Sequence, residues 1–212
     1  MAELHIDILD KKRKELLPFF ERFKDRFYLA GGTALALQLG HRDSIDFDFF
    51  TDLNFNSGDL LLEVKDVFEK YPVEVIQAGN KTLNVIISGD VKASFFCIKE
   101  KLLKPAINSE YLNIATIDDI ACMKIVALLR AEFKDYVDLF YLFKIIPLDV
   151  IIANCRKKYE DFDEMIYLKA LVSFDDINVS SLLFEKGKVI DLDSIEKDFK
   201  NRVNQYLRFR RI

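Results

Sequence analysis

The sequence predicts an α+β fold, with a mixed sheet and flanking helices over residues 1–115 and a helical half over residues 116–212. Short apolar runs with a period of two, separated by Gly, Asn and Asp, dominate the first half and are typical of strands. After Pro105 the apolar period changes to that of helices. No repeat or low-complexity linker separates the halves, so we expect them to pack together, with the functional site in the cleft between them.

The first half begins with a predicted amphipathic helix over residues 6–26 and a short strand over residues 27–30. The glycine pair Gly31-Gly32 then forms a turn, and Thr33 is the expected N-cap of the helix behind it. The remaining predicted elements are a strand, a helix and three further strands, over residues 45–50, 60–70, 73–77, 82–88 and 91–98. A Gly-Asp turn joins the last two strands as a hairpin.

The second half is predicted to be helical throughout. Thr116 is a suitable N-cap for its first helix, and Asp118 and Asp119 are favourable in the first turn. The predicted helices cover residues 116–130, 133–143, 147–161, 165–172 and 194–207.

Composition limits the class of protein. Half of the residues are hydrophobic and 13% are aromatic, including 19 Phe, which supplies a large core and argues against disorder. The sequence has no apolar run that could span a bilayer and a charged N-terminal segment in place of a signal peptide, so we expect a cytoplasmic protein without a membrane partner. A net charge of −4 disfavours general coating of nucleic acid. Three separated cysteines are expected to be buried thiols, and two histidines exclude a His-rich metal site.

The most informative segment is YLAGGTALALQLGHRDSIDFDFF, residues 28–50. On a single strand, the side chains of Asp46 and Asp48 would project from the same face about 7 Å apart, with apolar neighbours turned into the core. Two such carboxylates suit a divalent cation, Mg²⁺ or Mn²⁺, that carries a polyphosphate. The glycine pair ahead of them lets backbone N–H groups approach phosphate oxygens. Arg42 and Ser44 lie between the two parts, within reach of a phosphate.

Three segments resemble a single protein family. Residues 31–50, GGTALALQLGHRDSIDFDFF, resemble the signature of the nucleotidyltransferase-fold proteins of the AbiEii/AbiGii toxin family. Residues 117–143, IDDIACMKIVALLRAEFKDYVDLFYLF, resemble the second signature of that family, and residues 171–176, LVSFDD, resemble a further segment. The segments occur in the correct order, and the resemblance implies a polymerase β-like nucleotidyltransferase fold with a helical C-terminal half.

The resemblance also implies a role for individual residues. The glycine pair would hold the triphosphate of an NTP substrate, and the two aspartates would bind magnesium. Lys124 would contact phosphate, and Asp135 would complete the site. The candidate set is catalytic Asp46, Asp48, Lys124 and Asp135, metal-binding Asp46 and Asp48, and nucleotide-binding Gly31, Gly32, Thr33, Arg42, Ser44 and Lys124.

Other interpretations fit the same residues. The two aspartates also suit an exposed strand face, and the glycine pair suits an ordinary turn. Lys124 suits a lysine that snorkels from an apolar helix, and Asp135 suits an N-cap. An unbroken helix would align Lys124 with Asp135, whereas a break near Ala131-Glu132 would let Asp135 begin a new helix. Lys134 and Asp138 are interpreted as ion-pairing or capping residues.

Two positions depart from the family pattern. The strand VKASFF, residues 91–96, places Ser94 where polymerase β-type enzymes usually have a third carboxylate. That carboxylate commonly acts as general base, and a serine cannot take a proton at neutral pH in its place. Ala131 stands where a glycine often follows the family arginine.

The resemblance implies a Mg²⁺-dependent nucleotidyltransferase that moves an NMP from an NTP to a hydroxyl acceptor. The acceptor would be an RNA such as tRNA, or a protein, and the chain would be the toxin of a toxin–antitoxin or abortive-infection system with a cognate antitoxin. Ser94 favours an alternative, a catalytically weak NTP-binding module that acts through a protein partner. Phosphoryl transfer is a third hypothesis, because the same ligands would hold the donor.

Overall fold

The structure is a computed structural model that describes residues 4–175, residue 177 and residues 192–209. The chain divides into two units, Met1–Thr116 and Ile117–Ile212. Asp176, the last residue of the family-like segment 171–176, lies outside the described residues. Within the described part of the chain, the structure contains no helix that is long and apolar enough to cross a membrane.

The first unit is built on a seven-stranded mixed sheet, in the order β3-β4-β5-β2-β1-β7-β6. The strands are β1 (Tyr28–Ala30), β2 (Phe47–Thr51), β3 (Val73–Gly79), β4 (Thr82–Ile87), β5 (Val91–Cys97), β6 (Ile107–Asn108) and β7 (Asn113–Ile114). Strand β2 pairs in parallel with β5, and β1 pairs in parallel with β7, whereas the other pairs are antiparallel. The predicted mixed sheet is therefore confirmed, with β6 and β7 as two short strands that the sequence analysis did not predict.

An aromatic core covers one face of this sheet. The ring of Phe20 lies 4.8 Å from that of Phe47 and 5.0 Å from that of Phe49, measured between centroids. The ring of Phe95 on β5 stacks on Phe49 at 5.1 Å. Burying each such side chain contributes about 1.5–3 kcal/mol to stability. Because strand side chains alternate, the packing of Phe47 and Phe49 turns Asp48 to the opposite face.

Three helices flank the sheet in the first unit, α1 (Lys11–Leu16), α2 (Gly31–Leu39) and α3 (Ser57–Val67). The predicted helix over residues 6–26 is wrong, because the segment forms two 3₁₀ turns, Ile6–Ile8 and Leu17–Phe23, on either side of α1. The carboxylate of Asp10 accepts a hydrogen bond from the backbone N–H of Arg13 and starts a new helix there. Pro18 near the end of α1 has no N–H to continue the α-helical pattern.

The second unit, in its described residues, is built from helices. They are α4 (Ile117–Ala127), α5 (Phe133–Leu142), α6 (Leu148–Lys158), α7 (Glu164–Leu171) and α8 (Leu192–Phe209), with a 3₁₀ turn at Leu128–Arg130. The hydroxyl of Tyr136 lies 3.1 Å from the carbonyl oxygens of both Ala170 and Ser173, which joins α5 to the end of α7. Burial, and secondarily the charge of Asp135, raise the pKa of Tyr136, so this hydroxyl keeps its proton.

The three cysteines are free thiols. Cys122 and Cys155 are buried as predicted, but Cys97 at the end of β5 is only half-buried. A hydrogen bond with Cys122 and, next, burial raise the pKa of the Cys155 thiol, which therefore stays protonated at neutral pH.

The break between α4 and α5 is centred on Ala131, whose backbone is left-handed with φ 52° and ψ 34°. A residue with a Cβ atom adopts this conformation at a cost of about 1–2 kcal/mol. This strain gives a physical reason for glycine at the equivalent position of the family pattern, since glycine lacks that atom.

Replacing Ala131 with Gly should therefore stabilise the protein. We expect Ala131→Gly to raise the free energy of unfolding by about 0.5–1 kcal/mol, measured by urea denaturation, because relief of strain exceeds the entropy gained by the unfolded chain. The matched control Ala153→Gly, within helix α6, should lower stability by about 1 kcal/mol. An Ala131→Gly variant no more stable than wild type would contradict the assigned backbone strain.

Candidate functional site

The glycine turn leads directly from β1 into α2. Helix α2 begins at Gly31, and Ala30 is its N-cap residue without a side-chain hydrogen bond. Gly31 has a φ of +72°, and a Cβ atom on it would lie 3.2 Å from Oδ2 of Asp48. The left-handed backbone conformation therefore favours glycine, and a side chain at this position would also crowd the carboxylate of Asp48.

Gly32 leaves room for two polar side chains. A Cβ atom on Gly32 would collide with the guanidinium of Arg42 and lie 3.3 Å from Oγ of Ser44. Arg42 is only 4% exposed, and its Nη1 donates to the carbonyl of Asp43 at 2.8 Å. Arg42 thus lies beside the first turn of α2, whose backbone N–H groups have no partner within the helix, and this combination favours anions.

Thr33 holds the loop before β2 against this helix. Its hydroxyl lies 2.8 Å from Oγ of Ser44 and also donates to the carbonyl of Asp46. The prediction of Thr33 as N-cap is wrong, because α2 begins two residues earlier and the hydroxyl is used in these tertiary contacts. Asp46 precedes β2, which begins at Phe47, so the prediction that both aspartates lie on the strand is wrong for Asp46.

The strand register places Ser94 beside Asp48. Asp48 pairs with Ala30 on β1 and with Ser94 on β5. One strand spacing, about 4.8 Å, therefore separates the two backbones, and both side chains project from the same face. This register agrees with the predicted alignment, in which the buried Ser94 occupies the position of a third carboxylate.

The donor set at this site fits a magnesium ion that arrives with a polyphosphate. Among the residues that the structure describes, no group of three or more His, Cys, Asp or Glu side chains could hold a metal ion. If Asp46 and Asp48 bind a metal ion, they would supply two carboxylates and no third protein ligand of these types. Mg²⁺ commonly binds one or two carboxylates and completes its octahedron with water and substrate phosphates. The missing Cβ of Gly31 keeps space open beside the Asp48 carboxylate.

The second unit contains a buried charge cluster. Nζ of Lys124 lies 2.6 Å from Oδ1 of Asp135 and 2.5 Å from Oδ2 of Asp138. Arg130 approaches the other oxygen of Asp135 at 2.8 Å. Lys124 is 5% exposed and both aspartates are fully buried, so Lys124 does not snorkel to solvent. The break at Ala131 brings these side chains together.

Two predicted alternatives are decided by this geometry. Asp135 is the third residue of α5 and not its N-cap, which is Glu132. Asp138 is the ion-pairing residue that the sequence analysis expected, and its spacing of three from Asp135 puts the two carboxylates on one helix face. A phosphate contact by Lys124 stays a prediction, and the structure shows its ammonium between two carboxylates.

Arg13, a buried residue outside the predicted site, fixes the backbone just before both central strands. Its Nε donates to the carbonyl of Ile45 at 2.7 Å, and its Nη2 donates to the carbonyl of Asp90 at 3.0 Å. These carbonyls lie just before β2 and β5. Burial acts to raise the pKa of Asp10, but hydrogen bonds and charge from Arg13 outweigh it and lower that pKa. No local pattern marks Arg13, because its partners lie 32 and 77 residues away.

The structure thus brings the predicted site residues together in two groups. In the first unit the group consists of Gly31, Gly32, Thr33, Arg42, Ser44, Asp46 and Asp48. In the second unit it consists of Lys124 and Asp135.

Removing the Lys124 ammonium should destabilise the protein. We expect Lys124→Met to lower the free energy of unfolding by about 3–5 kcal/mol, because two buried carboxylates lose their shared cation. Urea denaturation measures this loss, and Lys134→Met on the neighbouring helix should change stability by no more than about 0.5 kcal/mol. A Lys124→Met variant as stable as wild type would show that the cluster does not depend on this charge.

The sequence matches a known protein family. Residues 19–100 match the family model "Nucleotidyl transferase AbiEii toxin, Type IV TA system". Uncharacterized protein aq_aa25 of Aquifex aeolicus (strain VF5) is 36% identical over 188 residues, which cover 85% of this chain and 88% of that protein.

Two solved structures from Helicobacter pylori share the fold. One, described as a candidate nucleotidyltransferase, has a TM-score of 0.61 and 20% identity, over 93% of this chain and 95% of that chain. The other, JHP933, has a TM-score of 0.60 and 20% identity, over 93% of this chain and 92% of that chain. The predicted nucleotidyltransferase fold is confirmed. The chain belongs to the family of the Aquifex protein, and its residues 19–100 carry the match to the AbiEii nucleotidyltransferase toxins.

Proposed function

We propose that this protein is a Mg²⁺-dependent nucleotidyltransferase that transfers an NMP from an NTP to a hydroxyl acceptor, as the toxin of a toxin–antitoxin or abortive-infection system. Its family and fold support nucleotidyl transfer. The observation that carries the proposal is the position of the Asp48 carboxylate beside the start of α2, where its Oδ2 lies 3.2 Å from where a Cβ of Gly31 would stand; a candidate metal ligand thus lies next to a helix N-terminus suited to phosphate.

In this proposal the donor nucleotide binds at the start of α2. The N–H groups of Gly31 and Gly32 and the guanidinium of Arg42 bind the triphosphate, and Thr33 and Ser44 hold the loop that carries Asp46. Asp46 and Asp48 would hold Mg²⁺, and Mn²⁺ would suit the same oxygens. A metal ion held by these two residues would neutralise charge at the α-phosphate during transfer. A cytoplasmic location would supply both the NTP and the ion.

The acceptor side lacks an obvious general base. Ser94 stands next to Asp48 and cannot take the proton of an attacking hydroxyl at neutral pH. A metal ion lowers the pKa of an oxygen that it binds, so transfer without a third carboxylate is chemically reasonable, although slower. The acceptor would be an RNA such as tRNA, or a protein.

Ser94 also supports a second candidate function. A protein that binds Mg²⁺–NTP but turns it over poorly could act through a protein partner, such as a cognate antitoxin. Incubation with each α-labelled NTP, Mg²⁺ and either total RNA or total protein separates the two functions. Label in an acceptor supports the enzyme, whereas nucleotide binding without transfer supports the binding module.

The metal assignment is tested with Asp48→Asn and Asp46→Asn. We expect each variant to keep the wild-type fold and to lose Mg²⁺-dependent NTP affinity by about 100-fold or more. Mutating a residue that only hydrogen-bonds a metal ligand typically lowers metal affinity by about 10–100-fold, and losing the ligand itself should cost at least as much. Calorimetric titration of NTP with and without Mg²⁺ measures the change. Asp52→Asn, an exposed carboxylate just beyond β2, is the matched control and should bind as wild type. Wild-type affinity in the Asp48 variant would refute the assignment.

Restoring the third carboxylate should improve the site. We expect Ser94→Asp to strengthen Mg²⁺ binding and, if the missing base limits the rate, to raise turnover by about 10²–10⁴-fold. Ser94→Asn, which has the same shape without the charge, should give neither gain. If Ser94→Asp leaves metal affinity and turnover unchanged, Ser94 does not occupy the place of a catalytic carboxylate.

A further inference from the structure

Asn84 lies in the same row of the sheet as the proposed metal ligand. Going across four strands from the edge, the paired residues are Gln77, Asn84, Ser94 and Asp48. Residues that are directly opposite on neighbouring strands project from the same face, so all four side chains share the face of Asp48. Two strand spacings, about 10 Å, separate the backbones of Asn84 and Asp48.

One end of the Asn84 amide is unpartnered. Its Nδ2 donates to Oε1 of Gln77 at 3.0 Å. Its Oδ1 is enclosed and accepts no hydrogen bond within the described part of the chain. Turning the amide over would exchange oxygen and nitrogen and leave the nitrogen unpaired instead. Buried polar atoms are almost always paired, and an exception is a sign of a function or of a missing ligand.

The position of Asn84 indicates which ligand would use this oxygen. On one side of Asp48 lies Gly31, whose Cβ position would be 3.2 Å from Oδ2 of Asp48, and the proposed function places the triphosphate there. Asn84 lies on the other side of Asp48, beyond Ser94. In phosphoryl-group chemistry the attacking oxygen approaches in line with, and opposite to, the leaving group. An unpaired acceptor atom on that side would suit a hydroxyl group, which supplies one hydrogen.

We propose that Oδ1 of Asn84 accepts a hydrogen bond from the attacking hydroxyl of the acceptor substrate and holds it beside the α-phosphate of the bound NTP. This inference rests on the proposed function. The hydroxyl oxygen bonds to the α-phosphorus, the bond to the β-phosphate oxygen breaks, and pyrophosphate leaves. The hydroxyl proton passes to water, because neither Asn84 nor Ser94 takes a proton at neutral pH. Asn84 is only partly buried as a whole and its amide torsion is soft, so the oxygen can turn toward the substrate.

The test varies Asn84 and measures donor and acceptor separately. Transfer from α-labelled NTP is followed against acceptor concentration, with total RNA and total protein as separate acceptors. We expect Asn84→Leu to raise the acceptor KM about 3–10-fold, the range of one lost hydrogen bond, and to leave Mg²⁺–NTP affinity unchanged. It should also raise Tm by about 2–4 °C, because an unpaired buried polar atom is removed.

Three further variants support the comparison. Asn84→Asp keeps an accepting oxygen at the same position and should hold the acceptor KM within about 3-fold of wild type. Gln77→Leu removes the group to which Nδ2 of Asn84 donates and should change neither the acceptor KM nor the NTP KM. Asn84→Ser, with a shorter hydroxyl, should raise the acceptor KM as well and replaces the leucine variant if that variant does not fold.

The outcomes separate this inference from the proposed function. An unchanged acceptor KM in Asn84→Leu or Asn84→Ser, with wild-type transfer observed, overturns the inference alone. A weaker Mg²⁺–NTP affinity in these variants also overturns it, since Asn84 would then serve the donor side. A wild-type protein that labels neither RNA nor protein overturns the proposed function and this inference together.

Discussion

The closeness of Asp48 to the backbone of Gly31 governs the rest of the candidate site. A Cβ atom on residue 31 would lie 3.2 Å from Oδ2 of Asp48, which is tighter than an ordinary contact, and the left-handed φ favours glycine at the same position. The antiparallel pairing of Ala30 with Asp48 sets this distance, and the parallel pairing with β5 places Ser94 on the other side. The register of β2 against β1 and β5 thus determines how α2, Asp48 and Ser94 lie relative to one another.

That register is in turn held by the apolar side of the sheet. Phe20 packs on both Phe47 and Phe49, so a slip by one residue would expose two rings and bury Asp48. At the strand ends, Arg13 ties the residues before β2 and β5 to α1 through their carbonyl groups. The packing of the phenylalanine rings determines which face of β2 carries Asp48. The hydrogen bonds of Arg13 fix the position of the residues at which β2 and β5 begin. The site therefore depends on side chains that never face a substrate.

The sequence predicts the parts of this structure that depend on local pattern. Strands β3 to β5 and helix α3 lie close to their predicted positions. The strands follow a period of two in neighbouring residues, and the side chain of Asn56 caps α3 by accepting hydrogen bonds from the backbone N–H groups of Gly58 and Asp59. Thr33 was placed wrongly because its partners lie 11 and 13 residues on, in a loop. The break before α5 stayed undecided, since only the left-handed backbone of Ala131 distinguishes it from a continuous helix. The sequence around Asn84 does not predict its place near the candidate site, because that place depends on the pairing of β4 with β5 and of β5 with β2.

The enclosed position of Lys124 between Asp135 and Asp138 has a consequence for how this family can diverge. Losing one member leaves an uncompensated charge in apolar surroundings, whereas replacing the whole cluster by apolar residues of similar volume leaves none. A stepwise change of these three residues must therefore pass through single mutants that are less stable than the starting protein. Lys124, Asp135 and Asp138 are therefore expected to be epistatic, because the effect of each substitution on stability depends on which residues occupy the other two positions.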